Sequence, residues 1–260
     1  MKKNHPFHMV PKSPWPIIAS FSLLMMTMGA TSWMHEKKSD LLIQGILLTS
    51  MTSILWWRDV IRESTMQGMH TKSVSMMMKG GMILFIVSEI MFFTSFFWSF
   101  FHSSLSPSVE IGMNWPPKGI KVFNPIEVPL LNTMILISSG ATITWAHHSL
   151  ISNKMKETIK ATYLTVLLGL IFTLLQGWEY SSSTFSMADS VYGSLFFMST
   201  GFHGLHVIMG TLFISSCLER TKKMHLTKMH HSGMEMASWY WHFVDVVWLI
   251  LYISVYWWSN

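Results

Sequence analysis

The sequence predicts an all-α integral membrane protein with seven transmembrane helices, and three observations carry that prediction. Half of the 260 residues are apolar and only 12% are charged, about half the charged share of a soluble domain. Apolar runs recur from Ile17 to Trp258 and do not mark a single core, as expected of a chain that crosses a bilayer repeatedly. The 18 Lys and Arg gather in short clusters between those runs. The net charge of +5 therefore lies on no continuous polar face, which sets nucleic acid aside as a partner.

A crossing needs roughly 20 mainly apolar residues to span a hydrocarbon layer about 30 Å thick. Seven segments qualify, at residues 15–34, 41–57, 80–102, 128–149, 159–178, 191–218 and 236–257, within a single polytopic domain covering 1–260. Before the first, Pro6, Pro11, Pro14 and Pro16 break the chain and leave no continuous hydrophobic stretch of the signal-peptide kind, so the N-terminus is expected to be retained. The second is the weakest, short and carrying Gln44, Gly45 and several hydroxyl residues. A helix tolerates these because Ser and Thr can bond to the preceding turn. Between the third and fourth, Pro107, Pro116, Pro117 and Pro125 remove backbone donors and stop a helix. Trp15, Trp33, Trp56, Trp57, Trp145, Trp178, Trp257 and Trp258 fall near span ends, where indoles form an interfacial belt.

The number of spans can be tested against charge, because Lys and Arg favour the side that is not translocated. With seven spans, Lys2, Lys3, Lys12, Arg58, Arg62, Lys72, Lys79, Lys154, Lys156, Lys160, Arg220, Lys222, Lys223 and Lys228 share one side, and only Lys37, Lys38, Lys118 and Lys121 face the other. One missed or invented span in the middle would scramble this segregation. The N-terminus is therefore expected on the positive side and the C-terminus opposite.

Several polar residues fall where lipid would penalise them. Glu89 lies near the middle of the third span, where a carboxylate needs a partner or a proton. It reads either as a relay or lipid contact, or as a neutral group bonded within the bundle. His203 and His206, three apart and flanked by Gly201, Gly204 and Gly210, share one helix face. They suit bonding between helices, to partners such as Glu89, Asp245 or His242, better than metal or haem ligation. Such a pair cannot place axial ligands on opposite faces of one haem, and no Glu-x-x-His pair suggests a di-iron bundle. Cys217 is the only cysteine, which excludes a paired-thiolate centre, and no metal ligand set is expected. His242 and Asp245, again three apart, form an Asp–His pair. His147 and His148 close the fourth span on the positive side, where His5 and His8 also lie, and histidines near one mouth exchange protons at neutral pH. In WWRDVIRES, Trp56–Ser64, two aromatics and two cations beside Asp59 and Glu63 suit an anionic phospholipid headgroup, and His70 and Lys72 extend the site.

With the spans placed, the chain resembles the cytochrome c oxidase subunit III family, the non-redox core subunits of haem–copper terminal oxidases. The resemblance rests on HPFHMVPKSPWP (5–16), WWRDVIREST (56–65), PLLNTMILISSGATITWAHHSL (129–150), VYGSLFFMSTGFHGLHVIMGT (191–211) and WYWHFVDVVWLILYISVYWW (239–258), and covers almost the whole length. HHSGMEM, at 230–236, departs from the family pattern.

The resemblance implies that a V-shaped cleft holding phospholipids separates the first two helices from the other five. It implies the mitochondrial inner membrane, with the N-terminus in the matrix and the C-terminus in the intermembrane space, and the 24 Met suit mitochondrial coding. Lipid contacts of the phosphatidylglycerol or phosphatidylethanolamine kind are implied for Trp57, Glu63, Ser64, Thr65, His70 and Glu89, and cardiolipin-type headgroups for Arg62, Arg220 and Lys223. Support of proton uptake is expected from His5 and His8. No catalytic residue is expected in this chain, because haem a and copper lie in partner subunits. Subunit I is the main implied contact, with subunit II and supernumerary subunits around it. Read without the resemblance, the same polar residues would also suit a proton transporter or a haem-binding electron carrier.

Overall fold

The computed structural model describes residues 7–260, and among them lie seven helices long and apolar enough to cross a membrane. These are α1 (Trp15–Glu36), α2 (Asp40–Thr65), α3 (Lys72–Leu105), α4 (Val128–Ile151), α5 (Met155–Ser181), α6 (Val191–Lys222) and α7 (Ser232–Leu251), the last continuing as a π-helical turn, Tyr252–Trp257. No β-strand occurs among the described residues, and the one isolated bridge pairs Thr227 with His230. The chain is thus an all-α, multi-pass membrane protein.

Six of the helices outrun the apolar segments that announce them. α2 continues from Trp57 to Thr65, and α3 begins at Lys72, well ahead of Gly80. The apolar run marks only what lipid must cover, whereas the helical ladder goes on into the interface through Arg, Lys and Glu, which are good helix formers. At about 1.5 Å per residue, the 34 residues of α3 span roughly 50 Å, far more than a hydrocarbon core. The ends are set locally. Pro16 and Pro129 stand in the first turns of α1 and α4, where a missing N–H costs nothing. Ser190 caps α6 by accepting the Gly193 N–H at 3.1 Å. Asn153, at φ 59°, takes the left-handed conformation that its short polar side chain tolerates and so turns α4 directly into α5.

Residues 1–78 and 79–260 cluster as two compact units. In the first, α1 and α2 form an antiparallel hairpin whose buried seam is made of small residues seven apart: Ser22 and Gly29 on α1, Gly45 and Thr52 on α2. A Cβ on Gly29 would lie 2.3 Å from the Leu42 nitrogen, and one on Gly45 would lie 2.6 Å from the Met26 Cα. The two backbones touch because neither residue has a side chain. In lipid, where the hydrophobic effect gives helices no reason to associate, such close approach supplies the van der Waals contact that holds them. The buried hydroxyls of Ser22 and Thr52 bond back to Ala19 and Leu48 carbonyls at 3.0 and 2.7 Å. At the open end of the hairpin the Trp15 indole donates to Asp59 at 2.7 Å.

The second unit is a bundle whose centre is α6 and α7. Val207 and Ile214 of α6, Trp241, Val244 and Trp248 of α7, Ile143 of α4 and Phe172 of α5 are fully buried. Gly169 and Gly210 make room for the Trp241 ring, which a Cβ on either would meet at 2.9 and 2.8 Å. Both buried indoles find acceptors on α4: Trp241 donates to Ser139 at 2.8 Å and Trp248 to Thr133 at 3.0 Å. Gln176 donates to the Thr200 carbonyl at 2.9 Å, linking α5 to α6. The outer faces stay apolar and exposed, as with Leu84, Met91 and Leu174, which is the surface a bilayer covers.

Candidate functional site

In the first unit, the last turns of α2 carry a polar cluster. Glu63 is buried, and its carboxylate lies 3.1 Å from His8 Nε2. The His8 ring packs edge-on against His70, with centroids 5.0 Å apart. Trp57 and Arg62 are exposed beside it. Ser64 and Thr65 donate to the Ile61 carbonyl at 2.8 and 2.7 Å, which keeps their hydroxyls on their own helix. Arg58 pairs with Asp59 at 3.0 Å, and Asp59 also takes the Trp15 indole proton. The end of α2 thus brings Glu63 and His70 together with His8. His5 lies outside the described residues.

In the second unit, the Glu89 carboxyl of α3 lies 2.9 Å from His206 Nε2, while His206 Nδ1 meets the Phe202 carbonyl at 2.7 Å. Phe93, Tyr240 and Phe243 surround the pair. A carbonyl only accepts, so Nδ1 carries a hydrogen; bonding at both nitrogens suits a proton shared between imidazole and carboxylate. His203, fully buried, turns Nε2 to the Val244 carbonyl at 3.3 Å. The two histidines therefore share a face yet serve different helices, α3 and α7. His242 and Asp245 stand 3.7 Å apart, beyond hydrogen-bond length. Gly140 opens the space for that carboxylate, since a Cβ there would lie 2.6 Å from Asp245 Oδ2.

The bundle end formed by the start of α7 and the close of α4 holds a group that spacing announces only in part, since His231 and Glu235 are four apart but His147 comes from α4. His147, His231 and Glu235 each bring one ligand-type atom within 4.8 Å of the others, and Lys79 contacts Glu235. Sequence shows only HHSGMEM and, far upstream, AHHSL. The available signal is that both segments flank spans on the same predicted side. On the adjoining connection, burial, then Arg220, then His231 hold His230 below the usual histidine range. Arg220 is half-buried near Gly233, and Lys223 caps α6 in the open. Glu179, at the far end of α5, is 1% exposed, and neither of its carboxyl oxygens has a hydrogen-bond partner among the described residues. Its position between Trp178 and Tyr180 disguises it as an ordinary interfacial residue.

Seven apolar helices, with Glu89, His206 and His203 engaged from helix to helix, define a polytopic helical-bundle membrane protein. The family model described as Cytochrome c oxidase subunit III matches residues 5–260. Cytochrome c oxidase subunit 3 of Pisaster ochraceus is 56% identical over 260 residues, the full length of both chains. The protein of the same name from Aedes aegypti is 54% identical over 257 residues, 99% of this chain and 98% of the relative. That from Pelomedusa subrufa is 56% identical over 256 residues, 98% of each. The chain belongs to the cytochrome c oxidase subunit III family, whose members are subunits of the oxidase complex.

Proposed function

We propose that this chain is the non-redox core subunit of its oxidase, in the mitochondrial inner membrane with the N-terminus in the matrix. It packs against subunit I, with subunit II and supernumerary subunits in the same assembly. The haems and coppers that pass electrons from cytochrome c to oxygen belong to the partner subunits. Its work is to stabilise the catalytic subunit through proton-pumping turnover, hold structural phospholipids, and keep proton uptake from the matrix fast.

The observation that carries this reading is that the intramembrane Glu89, His203 and His206 are engaged between helices of the chain itself, at 2.9 Å for Glu89–His206 and 3.3 Å for His203 to the Val244 carbonyl. Groups so engaged hold neighbours together. Lipid binding is supported by exposed Trp57 and Arg62 beside the buried Glu63–His8 contact, a combination of interface aromatic and cation that suits a phosphatidylglycerol or phosphatidylethanolamine headgroup. Arg220 and Lys223 offer cations for cardiolipin. In this reading the lipids lie along the end of α2, and His8 with His5 collects protons at the matrix surface.

Removing the subunit from the complex tests the division of labour. Proton supply should slow, or catalytic lifetime shorten, while haem content per complex stays unchanged. Loss of haem would overturn the reading.

A further inference from the structure

We infer that the matrix-side end of the bundle carries a zinc-type divalent metal site made of His147, His231 and Glu235. Its chemistry is borderline-soft, with two imidazoles and one carboxylate, and it leaves a position open for water. The three side chains come from two helices that meet at one end. His147 stands near the close of α4, His231 immediately before α7, and Glu235 in its first turn. One ligand-type atom of each lies within 4.8 Å of the other two.

Three further observations give the group direction. His231 Nδ1 lies 3.1 Å from the Thr227 carbonyl. A carbonyl accepts only, so Nδ1 carries the hydrogen, and the neutral ring presents a lone pair at Nε2. Metal-binding histidines are oriented in this way, by donating the other ring nitrogen to a carbonyl. That Nε2 faces Glu235 Oε1 at 3.9 Å, two electron-rich atoms with no hydrogen bond between them. His147 Nε2 is buried and has no hydrogen-bond partner, and its ring centroid lies 5.4 Å from that of His231. Electron-pair donors thus converge on one point. Tetrahedral zinc with ligands at about 2.0–2.1 Å needs donors roughly 3.3 Å apart, which small side-chain rotations bring about from the spacing present.

The present counter-charge is Lys79, which contacts Glu235 Oε2 from α3. The ammonium and a metal would compete for one carboxylate, so the lysine weakens the site and is displaced from it on binding.

The test is titration of zinc chloride into the intact purified oxidase containing this chain, with bound zinc counted and its edge absorption recorded. Compared with His231→Ala, the unaltered complex should hold one additional exchangeable zinc, coordinated by two imidazole nitrogens and oxygen. Glu235→Gln should weaken that site by more than the ~100-fold upper end of what loss of a mere supporting contact costs. Lys79→Met, which keeps all three ligands and removes only the competitor, should tighten it. Equal zinc content in the unaltered complex and His231→Ala would overturn the assignment. So would weaker binding in Lys79→Met, a result that remains readable even if the histidine variant fails to assemble.

Discussion

Gly29→Ala probes the seam of the α1–α2 hairpin. The added Cβ would lie 2.3 Å from the Leu42 nitrogen, 2.5 Å from its Cα and 2.7 Å from the Leu41 carbonyl carbon. All three are backbone atoms, which cannot swing aside as a side chain can. Ordinary contact begins at 3.4 Å, so the helices must part by about 1 Å. Overpacking of this kind costs typically ~1–3 kcal/mol, and parting the helices also weakens the reciprocal contact of Gly45 with Met26. Alanine gains up to ~1 kcal/mol over glycine in helix propensity wherever it is placed, so a control must remove that contribution. Gly80→Ala supplies it, being helical in α3 with nothing within 4 Å of its Cβ position. The unfolding free energies of complexes carrying each variant, read in parallel by titrating SDS into lipid–detergent micelles, should differ by about 1–3 kcal/mol, with Gly29→Ala the weaker. Equal stability would refute the claim that backbone contact at Gly29 holds the hairpin.

Three other outcomes are expected. Trp248→Phe removes a buried indole donor to Thr133 and should lower stability by at least the ~0.5–1.5 kcal/mol of a hydrogen bond, seen as a lower midpoint in the same titration. Glu89→Gln keeps the size of the side chain and can still bond His206, so turnover and pumping should change little in reconstituted vesicles; loss of pumping at normal turnover would give Glu89 an active part. Asp189 accepts the Ser186 N–H at 2.7 Å, which holds its carboxyl below the ordinary value of 3.8. Because the folded value is the lower one, this contact contributes fully above the ordinary aspartate range and is lost as pH falls through the depressed value. Hydrogen exchange at the Ser186 amide should follow that course and lose its acid-side dependence in Asp189→Asn.

The legible part of the site followed from helix periodicity. His203 and His206 on one face, with Glu89 as a possible partner, required only three-residue spacing and the cost of unpaired polar groups in lipid. Bonding of His206 to Glu89 met that expectation, while His203 went to a backbone carbonyl that no side-chain rule singles out. The Asp59 interactions were half legible: its neighbour Arg58 is local, but the Trp15 indole arrives from 44 residues away.

The amino-acid sequence on its own determined the class of solvent and the number of crossings. Hydropathy and the sidedness of Lys and Arg are sums over local stretches, and a bilayer acts on each stretch separately. Tertiary structure alone decided which helix faces meet. The seam of Ser22, Gly29, Gly45 and Thr52, the indoles reaching Ser139 and Thr133, and the grouping of His147 with His231 and Glu235 all depend on rotation and register between helices. Hydrophobicity cannot encode those quantities in a membrane, because lipid is as apolar as the side chains it touches. They are fixed instead by where backbones can approach and where polar atoms find partners.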